Sequence, residues 1–328
     1  MPRPVPPGSA RAGPGTKIVV AADRRAAFAR TGDPSRTLAL VPAETAVRVE
    51  PIRPEDLARV GDFLHRNLNE RLSPAAWAAA LVPPWAVAAP NHGFMLTSGE
   101  DVVGVNAAIY SSRVVRGERH EFCNVAALCV EERARPHAVR LIRAILRQPG
   151  YDFTDLSPSG SVVELDRRLG FAPLPTETTL VVNLPRPPGR RFRLLTRPDE
   201  IAARLTGVDA TVYADHRSAA AARHLVVVDG DDHCYVVFRK DRRRGLPLFA
   251  TILFVSDREL FRAASGVVSS HLLLRHGAVG TLVERRVAPV SAPLTRTLAH
   301  PRPKMFKSGT LEAADVDDLY SELTCVAW

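Results

Sequence analysis

A charged segment at residues 130–142, VEERARPHAVRLI, has the residue types needed to bind an anion. An apolar, strand-like run ends where the segment starts and a helix-like run follows it, so a helix begins close to Arg133, Arg135, Pro136 and His137. The first turn of a helix leaves backbone N–H groups unpaired and carries about half a positive charge, which favours phosphate groups there. The segment is therefore a candidate site for a phosphate-bearing ligand.

The cysteines do not favour nucleophilic or metal chemistry. The chain has four, which form no CxxC motif and have no histidines at metal-binding spacing: Cys123, Cys129, Cys234 and Cys325. Cys123 and Cys129 are six residues apart, so they are expected on one face of a strand, packed against a helix. We expect reduced thiols in a cytoplasmic protein without a bound metal.

The composition is that of a globular protein large enough for two domains. The chain has 328 residues, of which 46% are hydrophobic and 24% charged. No apolar run reaches the roughly 18 to 20 residues that span a bilayer, so no membrane partner is expected. The net charge of +9 suits a partner with phosphates, such as a nucleotide cofactor; nucleic acid is the weaker alternative. The densest basic cluster, RKDRRR at 239–244, is interpreted as a solvated turn.

The elements that position the charged segment can be read from the pattern of apolar residues. Residues 1–46 lack the layout of a secretory signal and are expected to be a disordered or loosely attached leader. A strand at 47–52 and a helix opened by Pro54 come next, and Ser73 starts a second helix. A period of two then predicts three strands, at 94–97, 102–114 and 120–130. After the charged segment and its helix, we expect a strand at 151–157, a helix closed by Gly170 and a strand at 176–185.

The pattern restarts after a proline-rich linker, PRPPGRR, at 185–191. FRLLTRPDEIAARL is similar to the earlier VRVEPIRPEDLARV, which indicates an internal repeat. The second copy continues with a hairpin, a strand, a helix at about 257–275 and another strand. A last amphipathic helix, capped by Thr310, is predicted to dock within the chain. Its apolar side carries Val316, Leu319, Tyr320 and Leu323.

This order of elements, with RPEDLARV near the start and LDRRLGFAPL before the last strands, resembles the GNAT (GCN5-related N-acetyltransferase) superfamily over residues 47–184. The resemblance implies an α/β fold with a mixed sheet in two tandem copies, the second shortened. We thus expect an acyltransferase domain at 47–184, a linker at 185–191 and a degenerate second domain at 192–328. The resemblance also implies acetyl-CoA or another acyl-CoA as cofactor and a small-molecule or peptide amine as acceptor. The oligomeric state is left open.

In that family an Arg/Gln-x-x-Gly-x-Gly/Ala loop opens the helix that holds the cofactor pyrophosphate. On this sequence, Arg133 matches the first position, Pro136 the central glycine and Ala138 the last small residue. Pro136 lacks an N–H and cannot take a positive φ, although proline suits the first position of a helix. The implied cofactor-binding residues, of which the first three act through their strand backbone, are Leu128, Cys129, Val130, Arg133, Ala134, Arg135, His137 and Ala138.

Acyl transfer to an amine needs a base, and the resemblance places that base on the central strands. Glu121 is the first candidate and Asp155, on the next strand, is the second. His120 is expected on the face opposite to Glu121. Many members of the family have a tyrosine acid where this sequence has Asp166, a carboxylate that donates poorly at pH 7 unless its pKa is strongly perturbed. The acid role is therefore unfilled.

Two hypotheses follow from the resemblance. The second copy has no phosphate loop, because Ser256 is expected to cap a helix whose first turn carries Asp257 and Glu259, and these acids repel phosphate. The leading hypothesis is an acyl-CoA-dependent N-acyltransferase with its cofactor in the first domain only and its acceptor between the lobes. The alternative, suggested by Pro136, Asp166 and the closed second copy, is a catalytically inactive GNAT-derived binding or regulatory protein. An open groove beside residues 130–138 would favour the enzyme.

Overall fold

A computed structural model describes residues 46–187, 189–243 and 246–327 of the chain. Apart from Ala46, the predicted leader lies outside these residues. None of the helices in the described ranges combines the length and apolar character needed to cross a bilayer.

The first half of the chain supplies most of the first sheet and the helices that flank it. In chain order its elements are β1 (Val47–Pro51), α1 (Leu57–Asn67), α2 (Pro74–Ala80), β2 (Gly93–Ser98), β3 (Asp101–Val115), β4 (Glu118–Val130), α3 (Ala138–Leu146), β5 (Tyr151–Asp155), α4 (Gly160–Arg168), β6 (Ala172–Pro173) and β7 (Thr178–Val182). The helix α1 forms because Val60, Phe63 and Leu64 recur at helical spacing, and all three are buried. Ser73 caps α2 by accepting a hydrogen bond from Ala76 N at 3.2 Å. The mixed α/β fold and the three predicted central strands are confirmed.

The central hairpin of this sheet contains a β-bulge. Between Ala126 and Cys129 the β3–β4 register shifts, so Ala127 and Leu128 lie opposite the single residue Asn106. Ala127 has a φ of +51°, in the left-handed region. The bulge also ends the regular alternation of side chains along β4.

This bulge separates the two cysteines of β4. Cys123 packs in a core cluster with Tyr110 and Phe153, whereas Cys129 packs in a different cluster with Val60 and other residues of the α1–α2 face. The prediction that they share a face is wrong, because the extra residue reverses the direction of the side chains beyond it. Burial raises the pKa of Cys129 to about 12 and raises that of Cys123 as well, so neither thiol is poised as a thiolate.

The left-handed backbone of Ala127 gives a testable prediction. A β-branched side chain is strongly disfavoured at positive φ, whereas glycine is not. We expect Ala127→Val to lower the free energy of unfolding by about 1–2 kcal/mol, and Ala127→Gly not to lower it comparably. Urea denaturation of the three proteins checks this. An equal loss for both variants would contradict the assigned backbone.

The second half supplies most of the second sheet. Its elements are β8 (Arg193–Leu195), α5 (Pro198–Arg204), α6 (Gly207–His216), β9 (Arg223–Asp229), β10 (Asp232–Arg243), β11 (Leu246–Val255), α7 (Arg258–His276), β12 (Gly280–Glu284), β13 (Thr295–Thr297), β14 (Met305–Lys307) and α8 (Glu322–Cys325). The order from β8 to β12 follows the order from β1 to β5. The origin of this order in an internal duplication stays a prediction.

The basic cluster at 239–244 is not a solvated turn where the structure describes it. Arg239 lies inside β10 and is 2% exposed. Its Nη1 donates to Leu323 O at 2.9 Å, and its Nε lies 3.1 Å from Asp241 Oδ1. The prediction is wrong because β10 continues to Arg243, so these residues extend a strand, and its Arg239 faces the C-terminal segment.

The two sheets exchange strands. Their orders are β1-β2-β3-β4-β5-β14-β6 and β13-β7-β12-β11-β10-β9-β8. β7, which was assigned to the first domain, pairs with β12, with Leu180 opposite Leu282. β14, which was assigned to the second, pairs with β5, with Phe306 opposite Thr154. The predicted domains at 47–184 and 192–328 therefore follow the chain but not the sheets, and their boundary stays a prediction.

The C-terminal segment does not form the predicted amphipathic helix. A 3₁₀ turn at Ala313–Asp315 and the four-residue α8 replace it. The apolar residues fail to make one face because they enter different cores: Val316 and Leu323 share one cluster, whereas Leu319 belongs to a second. Tyr320, with a φ of +55°, interrupts any helix between them. The segment instead runs between the sheets and contacts both.

Three buried charged residues and the largely buried Arg286 join the end of β12 to the segments on both sides of β14. We call these four the buried charge cluster: Glu284, Arg286, Lys304 and Asp318. Lys304 Nζ lies 2.6 Å from both Glu284 Oε1 and Asp318 Oδ2. Arg286 pairs with the same two acids, at 2.7 Å to Glu284 Oε2. Burial alone would raise the pKa of Asp318, but attraction by Lys304 and Arg286 outweighs it and holds that pKa below its usual value. The cluster has two charges of each sign.

Candidate active site

A cavity of about 270 Å³ lies between the first half of the chain (residues 46–187, here called the first lobe) and the second half (residues 189–327, the second lobe). Its first-lobe wall consists of the bulged part of β4, Asn106 of β3, the end of β5 with the loop that follows it, and the connection between α1 and α2. The second-lobe wall includes Asp241 and Arg242 of β10 and Arg302 before β14. The cavity is therefore placed to hold a ligand that both lobes contact.

The cavity follows a divergence between two parallel strands. β4 and β5 pair only from Glu121 opposite Tyr151 to Asn124 opposite Thr154. Beyond Asn124, β4 continues through the bulge to Val130 without pairing to β5, and residues 125–128 line the cavity. The groove is thus open beside 125–128, slightly earlier along β4 than the position considered from the sequence.

Asn106 contributes an unpaired amide to this cavity. It is fully buried, and among the described residues neither its Oδ1 nor its Nδ2 has a hydrogen-bond partner. Leaving such a group unpaired costs about 1–3 kcal/mol. Asn106 lines the cavity opposite the bulge, so a ligand there could accept and donate hydrogen bonds with it.

Asp155, the second base candidate, lines the cavity and is buried. Burial raises its pKa well above the usual value, and the nearby carboxyl groups of Asp166 and Glu322 raise it further. Asp155 shares a hydrogen bond with Asp166, whose pKa burial raises to about 7. The two carboxyl groups therefore titrate as a pair that retains a proton near neutral pH. Asp166 therefore meets the condition stated from the sequence, a strongly perturbed pKa, under which it can donate a proton near neutral pH.

Glu322 is a third buried acid close to Asp155, and no motif in the sequence analysis indicated it. Its Oε1 accepts a hydrogen bond from Ser157 Oγ at 2.7 Å, and its backbone N donates to Asn124 Oδ1 at 2.9 Å. Burial raises the pKa of Glu322. These contacts join residues that are 165 and 198 positions apart, so no local pattern could have indicated them.

Glu121, the first base candidate, lies at the other end of the β4–β5 pairing. It is opposite Tyr151, four residues before Asp155 along β5, which corresponds to about 13 Å along the strand. Its side chain is 38% exposed. It accepts hydrogen bonds from Ser112 Oγ at 2.8 Å and Arg119 Nε at 3.0 Å. The structure therefore separates the two base candidates, and only Asp155 is among the residues that line the cavity.

The charged segment forms a 3₁₀ helix, Glu132–His137, that leads into α3. Pro136 lies inside this 3₁₀ helix and not at the first position of α3. Arg133 Nε lies 2.7 Å from Glu131 Oε2, and Arg135 Nη1 lies 3.7 Å from Glu132 Oε1. Both arginine side chains are more than half exposed. An exposed ion pair of this kind contributes about 0–1 kcal/mol of stabilisation, so a phosphate group can compete with the glutamates for these two arginines.

The eight residues implied for cofactor binding fall into two groups. Leu128 lines the cavity, and the side chains of Cys129, Val130 and Ala134 are buried in the core, where only their backbone could meet a ligand. Arg133, Arg135, His137 and Ala138 lie around the start of α3. The residues of the second group follow soon after Val130 in the chain, but they are not among the residues that line the cavity.

The start of α7 in the second half is closed. Asp257, not Ser256, is its cap, and Asp257 Oδ1 accepts from Glu259 N at 2.9 Å and Leu260 N at 2.8 Å. Ser256 Oγ instead accepts from Tyr235 N at 2.9 Å. The acid at this helix start leaves no place for a phosphate group.

Among the described residues no group of three or more side chains suited to holding a metal ion occurs.

Comparison with known proteins supports the fold. No family model matches the sequence, and no curated protein matches it. A GCN5-related N-acetyltransferase from Anabaena variabilis is similar with a TM-score of 0.52 and 11% identity, over 80% of this chain and 72% of that chain. A putative acetyltransferase from Pyrococcus horikoshii has a TM-score of 0.52 and 10% identity, over 88% and 96%. A probable N-acyltransferase from Enterococcus faecalis has a TM-score of 0.50 and 12% identity, over 80% and 72%.

Identities this low establish the fold and not the chemistry. The mixed sheet, the diverging pair β4 and β5 and the similarity to these solved structures agree with what the sequence resemblance implied. The chain has the acyl-CoA N-acyltransferase fold of the GNAT superfamily.

Proposed function

We propose that the protein is an acyl-CoA-dependent N-acyltransferase that transfers an acetyl group to an amine and binds its cofactor in the first lobe only. The observation that carries this proposal is the cavity where β4 and β5 diverge, with the carboxyl pair of Asp155 and Asp166 at its wall. A strand that leaves its neighbour exposes backbone N–H and C=O groups, which can pair with an extended amide-containing ligand.

The residues present fit the cofactor at both of its ends. The backbone of 127–130 is available to an amide-containing arm because β4 has no β5 partner there. Arg133, Arg135 and His137 supply cationic or donor side chains for the phosphates, which compensates for the N–H that Pro136 lacks. The bound cofactor supplies an acyl group activated as a thioester.

The proposed mechanism uses Asp155 as the general base. An amine acceptor arrives protonated, and a base must remove a proton before nitrogen can attack. A carboxyl whose pKa is raised towards neutrality is a stronger base than an ordinary aspartate, and Asp155 has its pKa raised by burial and by Asp166. Asp166 does not line the cavity, so it is a positioning residue that acts through Asp155.

Release of free thiol tests the proposal most simply. The purified protein is incubated with acetyl-CoA and a panel of primary amines, and thiol is measured with a chromogenic disulfide. We expect amine-dependent release for at least one acceptor. The alternative, a GNAT-derived binding or regulatory protein without catalysis, is motivated by Pro136 within the 3₁₀ helix; it predicts cofactor binding without release for every amine.

The carboxyl pair gives a prediction for the pH dependence of the reaction. The base must be deprotonated, so kcat/KM is expected to rise with pH as the pair loses its shared proton. Because the charge of Asp166 raises the pKa of Asp155, Asp166→Asn should move this limb to lower pH. A pH series of kcat/KM checks it. Asp62→Asn, which alters an exposed carboxylate on α1, should leave the rise of kcat/KM at the same pH. If Asp166→Asn also leaves that rise at the same pH, the coupling between Asp155 and Asp166 is refuted.

A further inference from the structure

Three arginines from three separate segments surround the cavity. Arg71 belongs to the connection between α1 and α2, Arg242 to β10, and Arg302 to the segment before β14. Among the described residues, neither Arg71 nor Arg302 has a carboxylate within ion-pair distance, whereas Arg66 on α1 pairs with Asp62. Arg71 and Arg302 therefore place two positive charges, unpaired among the described residues, at the wall of a cavity that both lobes line.

The acids of the cavity do not neutralise this charge. Asp241 is held by the buried Arg239, with its Oδ1 3.1 Å from Arg239 Nε, and it also accepts a hydrogen bond from Thr251. Asp155 shares a proton with Asp166, because burial disfavours its charged form. The positive charges of Arg71 and Arg302 are therefore not neutralised by these two acids, and they attract a ligand with negative charge.

Two polar side chains whose buried atoms have no partner among the described residues also line this cavity. Asn106 is fully buried and unpaired among the described residues, as shown above. Ser159 also lines the cavity at the start of α4; its Oγ is buried, does not cap the helix, and has no hydrogen-bond partner in the described part of the chain. A hydroxyl and an amide that lack partners in the protein are available to the oxygen atoms of a ligand.

We infer that the acceptor is a small amine that also carries an anionic group, a carboxylate or a phosphate, and that this group binds between Arg71 and Arg302. The inference rests on the proposed function and names the substrate class of the same site. The amine of such a molecule lies towards Asp155 and its acidic group lies towards the arginines. A volume of about 270 Å³ is at the lower end of ligand sites, which suits a molecule of amino-acid size.

Binding can be measured without turnover, which separates this inference from the proposed function. Calorimetry is performed on the full-length protein with the common amino acids, β-alanine and phosphoethanolamine, each compared with its uncharged amide or alcohol counterpart. We expect at least one acid to bind about tenfold or more tightly than its neutral counterpart, the difference expected for a charge-assisted hydrogen bond. Which acid binds more tightly, a carboxylate or a phosphate, shows which anionic group the acceptor carries.

Arg71→Gln and Arg302→Gln should each remove most of that preference. Arg66→Gln is the matched control, because it removes the same charge from an exposed pair on α1. The affinity for coenzyme A should stay unchanged in all three variants, which distinguishes an acceptor site from a site for cofactor phosphates.

Equal binding of acids and their neutral counterparts, or no binding of any acid at millimolar concentration, would overturn the inference. So would a loss of coenzyme A affinity in Arg71→Gln and Arg302→Gln. If acids bind as expected but no acceptor releases thiol from acetyl-CoA, the proposed function fails and the anion site stands. If only neutral amines are acetylated, the function stands and the inference fails.

Discussion

Replacing Asp155 with asparagine is expected to lower kcat/KM for acetyl transfer by about 10²- to 10⁴-fold, the contribution typical of a general base. Asparagine keeps the size of the side chain but cannot accept a proton from an amine. The affinity for acetyl-CoA should change little, because the cofactor residues proposed above lie on β4 and at the start of α3. Steady-state kinetics together with calorimetry separate the two effects.

Two controls make this prediction specific. Glu121→Gln alters the carboxylate that lies about 13 Å away along the strands, and it should retain most of the activity. Asp62→Asn alters an exposed carboxylate on α1 and should be neutral. Retention of full activity by Asp155→Asn, with loss in Glu121→Gln, would transfer the base role to Glu121.

The second large effect is expected in the buried charge cluster. Lys304→Met keeps the approximate volume of the side chain but leaves Glu284 and Asp318 with only Arg286, so one buried negative charge is uncompensated. Removing one partner of a buried ion pair costs about 3–5 kcal/mol. We therefore expect a loss of this size in the free energy of unfolding, measured by urea denaturation. Arg66→Met is the control: it breaks an exposed ion pair with Asp62 and should lower the free energy of unfolding by only about 0–1 kcal/mol.

The sign of the pH dependence provides a further check on the cluster. The pKa of Asp318 is lowered in the folded state, so its contribution to stability is complete above the ordinary pKa of an aspartate and is lost as the pH falls through the folded value. The destabilisation in Lys304→Met should therefore be largest near neutral pH and diminish in acid. A destabilisation that is independent of pH, or smaller than that of Arg66→Met, would contradict the role assigned to Lys304.

Much of the fold follows from local patterns in the sequence. The alternation of apolar residues located β2, β3 and β4, and the cap and apolar spacing located α1 and α2. The helix predicted at about 257–275 is α7, and it ends at His276, before Gly277, whose φ of +65° suits the C-terminal cap. These features depend on neighbours within a few residues, so one sequence suffices to predict them.

Features that depend on distant contacts could not be predicted in this way. The exchange of β7 and β14 between the sheets follows from pairings such as Phe306 with Thr154, and no periodicity specifies which strand a short apolar run will join. The C-terminal segment contains apolar residues at helical spacing, yet Val316 and Leu319 enter separate cores. Spacing alone does not show whether one surface or several will bury such residues.

In the candidate site, too, local sequence predicted some features, whereas others depend on distant contacts. The family resemblance gave two carboxylates on adjacent strands but ranked Glu121 above Asp155, because burial is not visible in the sequence. The single-residue bulge at Ala127 was missed as well, since alanine gives no signal of a positive φ. The raised pKa of Asp166 arises from burial beside Asp155, which only the folded chain creates.

Calorimetric titration of the full-length protein with acetyl-CoA measures the cofactor binding on which the proposed activity depends. We expect saturable binding of one cofactor per chain, weakened by Arg133→Gln and Arg135→Gln and unaffected by Arg66→Gln, since the first two residues lie at the start of α3 and the third on the exposed side of α1. An absence of binding at millimolar acetyl-CoA, or binding that is insensitive to Arg133 and Arg135, would contradict it.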